Sequence, residues 1–292
     1  MERLKASDFP KEVLALFDRY VHGQITRRDF LDKAAKFTVG GVSAAALLPQ
    51  YAESQQTNWA DASIRAEYVE YSSPQGAGTM RGYMARPADS DGPLPGVLVV
   101  HENRGLNPHI EDVVRRAAIA GFIAFGPDAL YPLGGYPGND DDGRQMQSSR
   151  DGAEMTEDFV AAAEFLQNHD DCTGRVGVTG FCYGGGVANT LAVRVPTLGA
   201  SVPFYGGQPR DPADVARINA PLLIQYAGED ARINAGWPAY EEALEANNKE
   251  YTMHMYAGAN HGFHNDSTPR YDAAAAQLAW GRTIDFFNQH LR

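Results

Sequence analysis

The chain has 292 residues, of which 43% are apolar, and a formal net charge of −12. That length and composition allow one large or two small domains with a sizeable core, and the negative balance opposes nucleic acid or an anionic membrane surface as partner, since both need a positive face to release counterions. The uncharged run at residues 37–52 has sixteen residues with one proline and two glycines, short of the roughly 20 that cross a bilayer, so no stable membrane span is expected.

Residues 1 to about 60 differ from the rest. In DFPKEVLALFDRYVHGQ, Val13, Leu14, Leu16, Phe17 and Val21 fall near helical spacing and predict a short amphipathic helix. The next segment places Arg27 and Arg28 ahead of Phe30, Leu31 and a stretch of small apolar residues. This resembles a twin-arginine export signal, although 25 residues precede Thr26 and no clean small-x-small cleavage site follows Leu48. Two readings stand: a signal segment that sends the protein to the periplasm, or an uncleaved helical arm in a cytoplasmic protein. Such an arm packs on the domain or on a partner subunit of a homodimer.

From about residue 64 strand-like and helix-like patterns alternate. RAEYVEY and MRGYMARP alternate as half-exposed antiparallel strands and predict a hairpin at a sheet edge. Short apolar runs at residues 96–102, 122–128, 175–180, 199–206, 220–228 and 251–258 predict buried parallel strands. Between them, residues 110–120, 152–167, 184–192, 238–247 and 272–291 are candidate helices. The alternation predicts an α/β domain over residues 61–292, a mainly parallel sheet with helices on both faces. Sites in such sheets lie beyond the carboxyl ends of the strands.

Three residues at such ends suit nucleophilic catalysis. Cys182 stands in Gly180-Phe181-Cys182-Tyr183-Gly184, a G-x-C-x-G turn between a strand and a helix; the glycines let strand and helix approach, and the helix N-terminus favours negative charge. Taken alone, Cys182 is equally a buried inert cysteine. Asp230 follows the 220–228 run and His261 follows the 251–258 run, giving the chain order nucleophile, acid, base. A neutral thiol attacks poorly at pH 7, so His261 would hold its proton and Asp230 would fix and charge the imidazole. Glu102 ends the 96–102 run, where a carboxylate can take the thiol proton or raise its pKa; its alternative is a surface loop acid. The backbone N–H groups of Asn103 and Tyr183 lie where an oxyanion hole is expected. His261 and His264 form H-x-x-H, but no acidic or cysteine ligand set completes a metal site, and no cofactor is implied.

Together these residues resemble the dienelactone hydrolases (carboxymethylenebutenolidases), a family of the α/β-hydrolase fold. The marks are VLVVHENRGLN with Glu102, GFIAFGPDALY, VGVTGFCYGGG with Cys182, YAGEDARI with Asp230 and YAGANHGFHN with His261, running in order to residue 291. The resemblance implies a Cys182–His261–Asp230 triad hydrolysing a small ester or lactone through an acyl-enzyme, and a Glu102 that interacts with the resting thiol. It also implies two arginines for a substrate carboxylate, one a few residues after the triad histidine. Here that stretch reads His261-Gly-Phe-His264-Asn265, while Arg270 lies further on and Arg144 or Arg150 are candidates for the other. A different reading of the same residues is a redox sensor using an oxidisable Cys182, for which Cys172 is no obvious resolving cysteine.

Overall fold

The computed structural model describes residues 6–21, 24–37, 47 and 56–292. The edge hairpin forms as expected from β1 (Ile64–Ser73) and β2 (Gly78–Pro87). It joins β3 (Leu94–Val100), β4 (Ile123–Pro127), β5 (Cys172–Phe181), β6 (Ala200–Phe204), β7 (Leu222–Ala227) and β8 (Tyr251–Tyr256) in one eight-stranded sheet of order β1-β2-β4-β3-β5-β6-β7-β8. β1 and β2 pair antiparallel, as do β2 and β4, and the contacts among β3 to β8 are parallel.

Helices α1 (Lys11–Val21) and α2 (Arg27–Ala34) precede the sheet. Within it follow α3 (Pro108–Ile119), α4 (Asp140–Ser149), α5 (Gly152–Gln167), α6 (Tyr183–Arg194), α7 (Ala231–Asn234), α8 (Trp237–Ala246) and α9 (Ala273–Leu291). Both sheet faces are covered, which is why β3 reads as a continuous apolar run: Leu98 and Val100 enter one core with Phe159, Val178 and Leu191, while Val97 and Val99 enter the other with Ile110, Phe204 and Phe287. This is the expected α/β-hydrolase architecture.

Helices α4 and α7 lie outside the sequence reading. The run DDDGRQMQSS forms α4 because Asn139 caps it by accepting from Asp142 N at 2.9 Å and the three aspartates crowd its first turn, where the helix dipole favours negative charge.

The two N-terminal helices share an apolar cluster. Val13, Phe17 and Tyr20, spaced i, i+4, i+7, meet Phe9, Ile25, Phe30, Ala34 and Leu47, with Phe17 and Phe30 fully buried. Thr26 and Asp29 make a capping box that starts α2 at the twin arginines. The arm docks on α4: Arg27 pairs with Asp141 at 3.4 Å, the Tyr20 hydroxyl bonds Asp141, and the Arg144 guanidinium lies 4.6 Å over the Tyr20 ring. Of the apolar run at 37–52, only Phe37 and Leu47 fall within the described residues.

The sharp turn predicted between β5 and α6 is present. Cys182 occupies it at φ 55°, ψ −112°, a conformation that a non-glycine residue keeps only when its surroundings impose it. Glycines impose it: a Cβ on Gly180 would lie 2.1 Å from the Gly184 carbonyl oxygen, and one on Gly184 would lie 2.3 Å from the Val100 oxygen. Substituting Gly184→Ala therefore has to push α6 off the sheet and is expected to cost about 3 kcal/mol. Gly186→Ala, whose nearest neighbour would be 3.6 Å away, is expected to be neutral or to stabilise the helix by up to about 1 kcal/mol. Urea unfolding of the two variants measures the difference, and equal stability would mean that the turn does not depend on this close approach.

Candidate active site

The elbow presents Cys182, half-buried, beyond the carboxyl end of β5, with its backbone N–H donating to the Phe204 oxygen at 3.1 Å. β7 ends one turn before Asp230, which caps α7 by accepting from Ile233 N at 3.2 Å. Its other oxygen accepts from Nδ1 of His261 at 2.5 Å. His261 follows β8, and its imidazole interacts electrostatically with Cys182. The structure thus brings together three residues separated by 48 and 31 positions along the chain.

Electrostatics follow from that contact. Burial alone would lower the pKa of His261, but the electrostatic influence of Cys182 and the hydrogen bond to Asp230 outweigh it and hold the imidazole above the usual histidine value. Asp230 is likewise buried, and His261 nonetheless keeps it below the usual carboxylate range. Both shifts favour a charged imidazolium beside the Asp230 carboxylate. His264, by contrast, stacks on Phe181 at 4.8 Å and packs against Trp280, and burial drives its pKa well down. The two histidines of H-x-x-H therefore serve different surroundings, and among the described residues no three His, Cys, Asp or Glu side chains form a metal-binding group.

Glu102 lies beyond β3, 4% exposed, and accepts from Asn265 Nδ2 at 2.7 Å. Asn103 and Tyr183 line one cavity of about 860 Å³, along with Arg144, Arg150 and residues of the arm. The Tyr183 N–H belongs to the first turn of α6, whose amides have no partner within the helix. A second cavity of about 1130 Å³, walled on one side by α1, reaches Asp230 and His261.

Sequence reasoning missed several residues of this centre. The loop after His261 is buried from residue 261 through 270, and Asp266 anchors it: His109 Nδ1 lies 2.9 Å and Arg116 Nη2 2.5 Å from its carboxylate. Burial opposes that charge, but His109 and Arg116 hold Asp266 well below the usual range. The folded loop returns Arg270 to the site, so that a Cβ on Gly262 would lie 3.0 Å from its Nη2. An arginine therefore does stand beside the histidine, nine positions along instead of a few. Arg150 is engaged elsewhere, by Asp158 at 2.9 Å and the Ala129 oxygen at 2.7 Å, and Arg144 by Tyr20 and Asp141. Tyr205, at φ 36° and fully buried, packs its ring 5.0 Å from that of His261. A tyrosine directly after a strand end was the one available sign of it.

Cys172 begins β5 and Cys182 follows its end. Ten residues of extended strand separate their Cα atoms by about 30 Å, far beyond the ~4.4–6.8 Å of a disulfide. The two cysteines of one chain do not pair.

Residues 80–291 match the model of the "Dienelactone hydrolase family", and residues 1–36 match that of the "YqhI-like" family. The chain is 56% identical over 105 residues to "Putative hydrolase fragment YghX" of Escherichia coli K12, covering 36% of this chain and 90% of that one. It is 34% identical over 231 residues to the "Putative carboxymethylenebutenolidase" of the same organism, covering 74% and 85%. The crystal structure of a "Putative Dienelactone Hydrolase" from Klebsiella pneumoniae superimposes with a TM-score of 0.68 at 30% identity, over 77% of this chain and 99% of that one. With the sheet order, the elbow and these matches in agreement, the chain belongs to the dienelactone hydrolase family.

Proposed function

We propose that this hydrolase cleaves small carboxylic esters or lactones with Cys182 as nucleophile, His261 as acid and base, and Asp230 as the group that orients and charges the imidazole. The observation that carries the reading is the His261 ring, bonded to Asp230 at 2.5 Å and interacting electrostatically with Cys182. Sγ of Cys182, as thiolate, attacks the carbonyl carbon, and the carbonyl π electrons move to oxygen. The N–H groups of Asn103 and Tyr183 receive that oxyanion. Its collapse breaks the bond to the alcohol oxygen, which takes its proton from imidazolium, and leaves a thioester on Cys182. Neutral His261 then removes a proton from water as it attacks the thioester, and the second collapse releases acid and thiolate. Glu102, fixed by Asn265, is the carboxylate that exchanges a proton with the resting thiol. In this reading residues 1–60 form an arm and residues 61–292 the hydrolase domain.

Turnover of p-nitrophenyl acetate is expected to fall by at least about 10³-fold in Cys182→Ala, and retained activity would assign the chemistry elsewhere. The raised pKa of His261 fixes a pH dependence. The imidazolium form, and the stability it lends, is fully present below the ordinary histidine pKa and lost as pH rises through the higher folded value. The alkaline limb of kcat/KM should therefore lie above the usual histidine range. In Asp230→Asn the limb should move to lower pH and kcat should drop about 10²–10⁴-fold; an unmoved limb in a pH–rate profile would exclude Asp230 as the charging group.

A further inference from the structure

Arg270 is a cation inside the catalytic centre that the proposed chemistry does not use. It is 5% exposed, lies against Gly262 next to His261, and interacts electrostatically with both Cys182 and Glu102. Its neighbours on the open side come from the arm. Nη1 lies 3.4 Å from Oδ1 of Asp18, and the guanidinium sits 4.8 Å over the Phe17 ring. Both residues belong to α1, and Phe17 is locked in the arm's own apolar cluster. The 1130 Å³ cavity has one wall from the arm, with Phe9, Leu14 and Asp18, and one from the hydrolase domain, with Asp230, His261 and Arg270.

A buried guanidinium whose charge is matched by a carboxylate has little attraction left for a second anion, whereas an unmatched one in the same place is a strong anion site. We propose that Asp18 is a specificity-determining residue: it occupies Arg270 from the arm and thereby sets the site to prefer uncharged acyl groups over acyl groups that carry a carboxylate. The residue lies within 1–36, outside the 80–291 that match the hydrolase family, so this determinant is an addition to the fold. The phenyl face of Phe17 completes the enclosure by covering the guanidinium plane. The inference rests on the ester or lactone hydrolase reading, and its test is therefore chosen to work without turnover.

Cys182 is alkylated in the full-length protein with iodoacetamide, which is neutral, and with iodoacetate, which carries a carboxylate, and the ratio of the two rates reports the charge available beside the sulfur. Asp18→Asn is expected to raise the iodoacetate to iodoacetamide ratio about tenfold, and Arg270→Gln in that background to return it to the starting value. Asp32→Asn, which removes one exposed charge from α2, controls for the change in net charge and should leave the ratio where it was. The kcat/KM ratio for mono-p-nitrophenyl succinate over p-nitrophenyl butyrate should move in parallel. An unchanged alkylation ratio in Asp18→Asn, a gain that survives Arg270→Gln, or an equal gain in Asp32→Asn would overturn the proposal. A chain that shows the alkylation pattern but hydrolyses neither ester would instead overturn the hydrolase reading.

Discussion

The close approach of β5 and α6 is the constraint on which the rest of the site depends. Gly180 and Gly184 come so near each other, and Gly184 so near the Val100 carbonyl, that a methyl group fits at neither position. That contact forces Cys182 into its left-handed conformation and aims the start of α6 at the same point as the thiol. The consequences are joined: Cys182 stands beyond the end of β5 at the N-terminus of α6, and the carboxyl ends of β3, β7 and β8 carry Glu102, Asp230 and His261 on the same edge of the sheet. A looser turn would leave each of these groups present but out of reach of the others.

Holding charge in such a place requires compensation, and the structure supplies it in layers. The Asp230 carboxylate is matched by His261, and Asp266, deeper in the loop, by His109 and Arg116. Arg116 is shared with Asp112, whose carboxylate also receives the backbone N–H groups of Gln56 and Thr57. Each of these three carboxylates thus has both an opposite charge and hydrogen bonds, the condition under which ion pairs withstand burial. One result is mechanical: the histidine loop is clamped to α3, so the imidazole is presented on a rigid element though it lies in a segment without regular structure.

What the sequence discloses and what it hides divide along the same line. The strands, the edge hairpin and most helices are visible because burial on one or both faces imprints a period of 2 or 3.6 on the residues themselves. Cys182, Asp230 and His261 are visible because each follows such an imprinted strand. Arg270, Asn265 and Asp266 are not, since the loop carrying them has no period and its geometry comes from partners on α3 and β3 that are more than a hundred residues away. The expectation that no arginine stands near His261 counts positions along the chain, whereas the folded loop brings residue 270 back beside residue 262. Helix α4 escapes for a related reason. Its three aspartates resemble a solvated charge run until Asn139 and the helix dipole give them a place.

The N-terminal segment shows how one set of residues answers two demands. Thr26 and Arg27, part of the sequence's likeness to an export signal, are used by the fold, with Asp29, as a helix cap and an ion pair to α4. Phe17 and Tyr20, spaced for an amphipathic helix, bury against Phe30, and the same packing fixes the register of α1 so that Asp18 meets Arg270. The arm's small core is therefore coupled to the charge around Cys182: whatever loosens the Phe17–Tyr20–Phe30 cluster also moves a carboxylate away from a buried guanidinium that interacts with Cys182.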